Sequence, residues 1–224
     1  MNVSIIATLS TVVCAMPAAA AIITVGPGGT SGGFQFGQVT DAITAATSGD
    51  LIHVVGRTEN GPRFAYDAFD LGLAASDIEM TWGLSPGVIE VGGNMRVGPN
   101  ANLRFELGGT NNAQVLTSGR VDYDTVLVNG NFQLDGMMSL SLIDGFAPSI
   151  GHTFELVSTT GTVNWTGDFN LHFNAPAMPA GLSWQFTVGS GIMGGQSIYA
   201  SVVPAPGAMA VLALAGFASR MRRR

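Results

Sequence analysis

From residue 76 the chain meets a turn signal roughly every ten residues, so only short strands fit between the breaks. The breaks include Gly108-Gly109-Thr110, Asn129-Gly130-Asn131 and Asp135-Gly136. The pieces between them read as strands over residues 87–91, 101–107, 123–128, 138–143, 153–157 and 182–188. Leu103-Arg104-Phe105-Glu106-Leu107 alternates apolar and polar side chains, the period of a half-buried strand. With 31 Gly in 224 residues and only 11% charged residues, the composition favours many turns joining short strands within one domain.

The front of this region is built differently. Ile22-Ile23-Thr24-Val25 reads as a strand and is followed by a Gly-rich turn. Apolar residues at 36, 39, 42, 43 and 46 then mark one face of a short helix. Ser48-Gly49-Asp50 ends that helix, and Leu51-Ile52-His53-Val54-Val55 reads as the next strand. The expected fold is all-β: a short right-handed β-helix (solenoid) with an N-terminal helical cap, since a helix can cover the open end of a stack of strands. A signal-peptide helix and a C-terminal hydrophobic helix flank it. The alternative is a β-sandwich.

The two ends differ from the body. Residues 4–13 are mostly apolar and lead into Ala15-Met16-Pro17-Ala18-Ala19-Ala20-Ala21, where small residues suit a signal peptidase cutting at Ala20 or Ala21. The only cysteine, Cys14, lies in this segment, so the expected mature chain has no disulfide and no Cys-based zinc site. At the other end, Val203-Pro204-Ala205-Pro206-Gly207 precedes the apolar run 208–219, which includes Ala208, Val211, Leu212, Leu214 and Phe217. The chain closes on Arg220, Arg222, Arg223 and Arg224. Twelve residues of helix rise only about 18 Å, short of a hydrocarbon core of about 30 Å. The Arg cluster stays cytoplasmic and leaves the body outside. The domains expected are therefore 1–21 as signal peptide, 22–201 as a β-rich extracellular domain and 202–224 as a tail.

The order of Pro-x-Pro motif, short apolar helix and terminal Arg cluster resembles the PEP-CTERM sorting tail, with Ala205 where the usual motif has Glu. That resemblance implies recognition by an exosortase-like processing enzyme after passage through the secretion machinery. It also implies attachment to the membrane through the tail, and a final place at the cell surface or outside the cell. The segment from Ile22 to Val55 resembles the N-terminal cap of pectate-lyase-like chains. Phe105-Glu106-Leu107-Gly108-Gly109-Thr110, Asp122–Gly130, Leu134-Asp135-Gly136 and Gly151–Leu156 resemble autotransporter-like β-repeat modules.

Charge excludes one class of partner. All nine basic residues are Arg, and four of them lie in the last five positions. The remaining five Arg face fifteen acids, a difference of −10. Phosphate backbones are bound through Lys and Arg, so nucleic acid is not an expected partner.

The candidate chemistry is sparse. His53, His152 and His172 lack metal-ligand spacing and read as structural. Asp67, Asp70, Asp77 and Glu79 lie close in sequence. Asp122 and Asp124 would share a face if they lie on a strand, which makes them the candidate calcium pair. Arg57, Arg63, Arg96, Arg104 and Arg120 sit in no lyase motif. Trp82, Trp165 and Trp184 read as core residues rather than sugar platforms, and Asn164-Trp165-Thr166 matches a glycosylation sequon. No catalytic residue, cofactor or metal is therefore assigned. The chain is read as a non-enzymatic, exported, surface-sorted structural protein of the cell envelope or an extracellular polysaccharide matrix. The alternatives are a polysaccharide lyase or hydrolase, and a carbohydrate- or calcium-binding module.

Overall fold

The computed structural model describes residues 20–56, 65–71, 79–83, 86–112, 115–116 and 121–206. The signal segment before Ala20, the apolar run 208–219 and the terminal Arg cluster lie outside them. So do Gly207, Asp77, Arg57, Arg63 and Arg120, together with the side chains of Glu79 and Trp82. Among the described residues no helix is long and apolar enough to cross a membrane.

The strands are β1 (Ile22–Val25), β2 (Leu51–Val55), β3 (Ala65–Tyr66), β4 (Phe69–Asp70), β5 (Glu79–Gly83), β6 (Val88–Val91), β7 (Met95–Val97), β8 (Asn102–Leu107), β9 (Thr125–Val128), β10 (Phe132–Leu134), β11 (Met137–Leu142), β12 (Thr153–Thr159), β13 (Val163–Trp165), β14 (Phe173–Asn174), β15 (Leu182–Ser190) and β16 (Gln196–Pro204). One α-helix, α1 (Val39–Ala45), lies between β1 and β2. Its buried residues Val39, Ala42 and Ile43 are those the apolar spacing points inward.

The strands form three sheets. The first runs β1-β2-β5-β8-β11-β14, the second β4-β7-β10-β13, and the third β3-β6-β9-β12-β16-β15. Pairing is parallel throughout the first two sheets and through β3, β6, β9 and β12 of the third. In the third sheet β16 then pairs antiparallel with both β12 and β15.

The expected small right-handed β-helix with a helical cap is therefore corrected, and so is the β-sandwich. The molecule is a mostly-β fold of mixed and parallel sheets. A regular coil requires each turn to supply strands of matched length. Here strand lengths run from two to nine residues, and the Gly191–Gly195 turn sends the last strand back antiparallel, as short connections do. A sandwich requires antiparallel sheets face to face, whereas most pairs here are parallel. The boundary expected at residue 201/202 falls inside β16, which continues to Pro204.

Parallel register stacks like on like in the core. Ile52, Met80, Leu103 and Met138 are successive partners across the first sheet, and Phe69, Met95, Phe132 and Val163 across the second. All eight are buried in one cluster with Val91, Val126, Phe154 and Ile198 of the third sheet. Their burial is the main favourable term holding the sheets together. Outward positions of the second sheet are polar, and that face carries the candidate site.

Candidate functional site

Every strand of the second sheet is short. In β10 the alternation Asn131-Phe132-Gln133-Leu134-Asp135 buries Phe132 and Leu134 and turns the polar residues outward. Parallel register then sets Asp70, Arg96, Gln133 and Asn164 in one row across the four strands. A neighbouring row at the strand entrances holds Asn94 and Asn131. Together with Thr40 of α1, Ala68, Phe69 and Met95, these residues line an open groove of about 500 Å³.

Arg96 organises one side of the groove. Its Nε donates to Asp135 Oδ2 at 2.8 Å, and Nη2 lies 2.8 Å from the same oxygen. Nη1 approaches Asp70 Oδ2 at 3.3 Å. Burial pushes the Asp135 carboxyl up, but hydrogen bonds from Thr166, Gln133 and Arg96 outweigh it and hold Asp135 below the usual carboxylate range. The Asp135 hydrogen bond, against a burial effect of opposite sign and with help from Asp70, keeps the guanidinium firmly charged. Replacing Arg96 by Met is expected to cost only about 1 kcal/mol, because the Arg96 side chain is 38% exposed and exposed pairs contribute little. Urea denaturation at low and high salt checks this, and the difference should shrink as salt rises.

The amides are each tied at one end. Asn94 Oδ1 accepts the Asn131 N–H at 2.8 Å, and Asn131 Oδ1 accepts the Thr162 N–H at 3.0 Å. Gln133 Nε2 donates to Asp135 Oδ1 at 2.6 Å, and Asn164 Nδ2 donates to the Thr162 hydroxyl at 3.0 Å. Among the described residues, Asn94 Nδ2, Asn131 Nδ2, Gln133 Oε1 and Asn164 Oδ1 have no further partner. The sequon residue Asn164 is exposed at the groove.

His172 braces the far end. Its Nδ1 lies 2.7 Å from the Gly136 carbonyl oxygen and its Nε2 2.7 Å from that of Thr166. The Thr166 hydroxyl in turn donates to Asp135. The reading of His172 as structural agrees with this placement.

The other singled-out residues are scattered. His53 lies half-buried on β2, and burial pushes the Glu106 carboxyl up against the opposing pull of Arg104. His152 accepts the Ser149 N–H through Nδ1 and stacks on Phe146. Asp67 is exposed. Trp184 donates to the Pro176 carbonyl and packs beside Phe154, while Trp165 is 40% exposed against Phe169. Asp122 and Asp124 precede β9 rather than lying on a strand. Asp124 is fully buried, and its two oxygens accept the Gly87 and Glu106 N–H groups at 2.7 Å each. Asp122 Oδ2 accepts the Asn111 N–H. Among the described residues no three potential metal ligands converge. Val203 and Pro204 pair with Ser183 and Leu182, and the Ala205 N–H donates to the Gly181 carbonyl at 2.8 Å, so the Pro-x-Pro motif begins inside the β15/β16 hairpin.

Among the described residues, Asp70, Arg96 and Asn164 of the sequon are thus the sequence candidates that meet in the groove. The amides were missed. Their signal was the alternation from Asn129 to Asp135, hidden because Asn129-Gly130-Asn131 also reads as a turn.

The groove is suited to holding a ligand. Glycoside hydrolysis needs one carboxyl that keeps its proton beside one that does not. Here Asp70 and Asp135 share one Arg, and Asp135 is held below the usual carboxylate range. No known family model matches the chain, and no curated protein matches it.

Proposed function

We propose that the chain is an exported structural protein of the bacterial cell envelope or of an extracellular polysaccharide matrix. The observation that carries this reading is the groove, a fixed face of amides and a fully paired guanidinium that suits contact rather than turnover. Export is supported by the two ends of the sequence. The apolar N-terminal segment runs into small residues at Ala20 and Ala21. The tail, with its motif, apolar run and Arg cluster, fits handling by an exosortase-like enzyme, retention at the membrane and release to the surface.

One contact supports a cut between Ala20 and Ala21. Asp50 Oδ1 accepts the Ala21 N–H at 2.8 Å, and the Ala21 carbonyl accepts the Leu51 N–H. A new amino terminus at Ala21 would carry its positive charge onto the Asp50 carboxylate and strengthen that contact. A cut one residue later would remove the donor.

The test is fractionation of the native host with N-terminal sequencing. The expected product begins at Ala21 and is found in envelope or extracellular fractions. A full-length cytoplasmic product retaining both ends would overturn the reading.

A further inference from the structure

We infer that the groove over β4, β7, β10 and β13 binds an uncharged, hydroxyl-rich polymer, a neutral glycan, laid across the strands. This names the ligand of the face on which the matrix reading rests, and it deepens that reading.

Three observations carry it. The first is the repeat. Four parallel strands spaced about 4.8 Å apart present Asp70, Arg96, Gln133 and Asn164 in register, one residue per strand. That spacing is close to the advance of one pyranose residue in an extended chain. A glycan running across the strands therefore meets a polar side chain at each sugar.

The second is the division of hydrogen-bonding groups. The entrance row, Asn94 and Asn131, has its oxygens tied to backbone N–H groups, which leaves N–H donors. The central row, Gln133 and Asn164, has its nitrogens tied to Asp135 and Thr162, which leaves carbonyl acceptors. A sugar hydroxyl both donates and accepts, so neighbouring hydroxyls of one residue can satisfy both rows. These amides are already held, so little rotamer entropy is lost on binding.

The third is charge. Among the described residues Arg96 is the one cation lining the groove, and it faces Asp70 and Asp135, so these residues leave no surplus positive charge with which to draw a polyanion. Of the described residues, an acidic polysaccharide would meet the Asp70 and Asp135 carboxylates and the single Arg96 cation. An extended peptide is also disfavoured: strand addition needs a free backbone edge, and this surface is a sheet face presenting side chains.

The experiment uses the full-length chain purified in detergent, with binding measured by calorimetry against α- and β-linked neutral hexasaccharides, polygalacturonate and an extended polar peptide. The result expected is binding of at least one neutral hexasaccharide, insensitive to salt, with polygalacturonate and the peptide no tighter. The double variant Asn131→Ala/Gln133→Ala should weaken binding at least tenfold. Thr153→Ala, on an exposed position of β12 in another sheet, should leave it unchanged. Circular dichroism confirms that both variants fold; if the double variant does not, Asn164→Ala replaces it and should weaken binding severalfold. Absence of binding to every neutral hexasaccharide would overturn the inference. So would binding indifferent to the groove variants, a salt-sensitive preference for polygalacturonate, or a preference for the peptide. None of these outcomes bears on where the protein is found in the cell, so the fractionation result stands apart.

Discussion

Raising the pH from about 4 to about 8 is expected to lower the stability of the folded chain, with Asp124 as the main cause. Burial pushes this carboxyl from 3.8 up to about 8, partly opposed by the N–H groups of Gly87 and Glu106 and assisted by the Glu106 charge. Between those two values the folded state holds a proton that the unfolded state has released. Stability therefore falls as pH rises, by at most about 1.4 kcal/mol per pH unit for one group. Its contribution is complete below about 4 and gone above about 8. Glu106, also raised by burial, adds in the same direction just above its ordinary value.

Asp50 and Asp135 work the other way. Both are held low, Asp50 chiefly by the Ala21 N–H, so their contribution is lost as pH falls below the usual carboxylate range. Thermal melts across this span should show a maximum on the acid side. Asp124→Asn cannot titrate and should flatten the decline toward pH 8. Asp124→Leu should leave the N–H groups of Gly87 and Glu106 without acceptors and cost about 2–5 kcal/mol. A wild-type profile that rises from pH 4 to pH 8 would contradict this account.

Gly136→Ala is expected to destabilise at least as strongly. Gly136 follows Asp135 at the end of β10, where the chain turns into β11. A β-carbon there would overlap the carbonyl oxygens of Gly98 and Ala101 and press on a Val97 methyl. Two of the three obstacles are backbone, and the Ala101 carbonyl is already engaged by the Met137 N–H. The strain cannot be relieved by a rotamer change, so the cost should reach or exceed about 3 kcal/mol, the upper end for overpacking. The same residue supplies the carbonyl that His172 holds, so the groove end should loosen with it. Chemical denaturation measures the loss. A variant within 1 kcal/mol of wild type would show that the turn yields more easily than its packing implies.

The longer elements were legible without a structure. The pieces read at 87–91, 101–107, 138–143, 153–157 and 182–188 fall on β6, β8, β11, β12 and β15. Each is four to nine residues long, enough for alternation to register. Of the helical face read at 36, 39, 42, 43 and 46, the middle three positions fall on α1, whereas Phe36 bridges to Val25 before the helix and Ala46 caps its end. The second sheet escaped, because β4, β7, β10 and β13 have only two or three residues. A period of two cannot be seen in so few positions, and the Gly and Asn around them read as turns.

The sequence by itself therefore determined that the chain is mostly β, that its breaks fall at Gly- and Asn-rich turns, and that its described surface carries few cations. Those properties follow from local composition and spacing. Only the tertiary structure decided which strands pair, that most pair in parallel while β16 returns antiparallel, and that Asp70, Arg96, Gln133 and Asn164 form one row. These residues lie 26, 37 and 31 positions apart along the chain. Register between strands so distant depends on the whole core closing at once, with Phe69, Met95, Phe132 and Val163 stacked beneath the row. The buried Asp124 follows the same logic: as one of two acids two positions apart it reads as a surface calcium pair, and only packing turns it inward onto two backbone N–H groups.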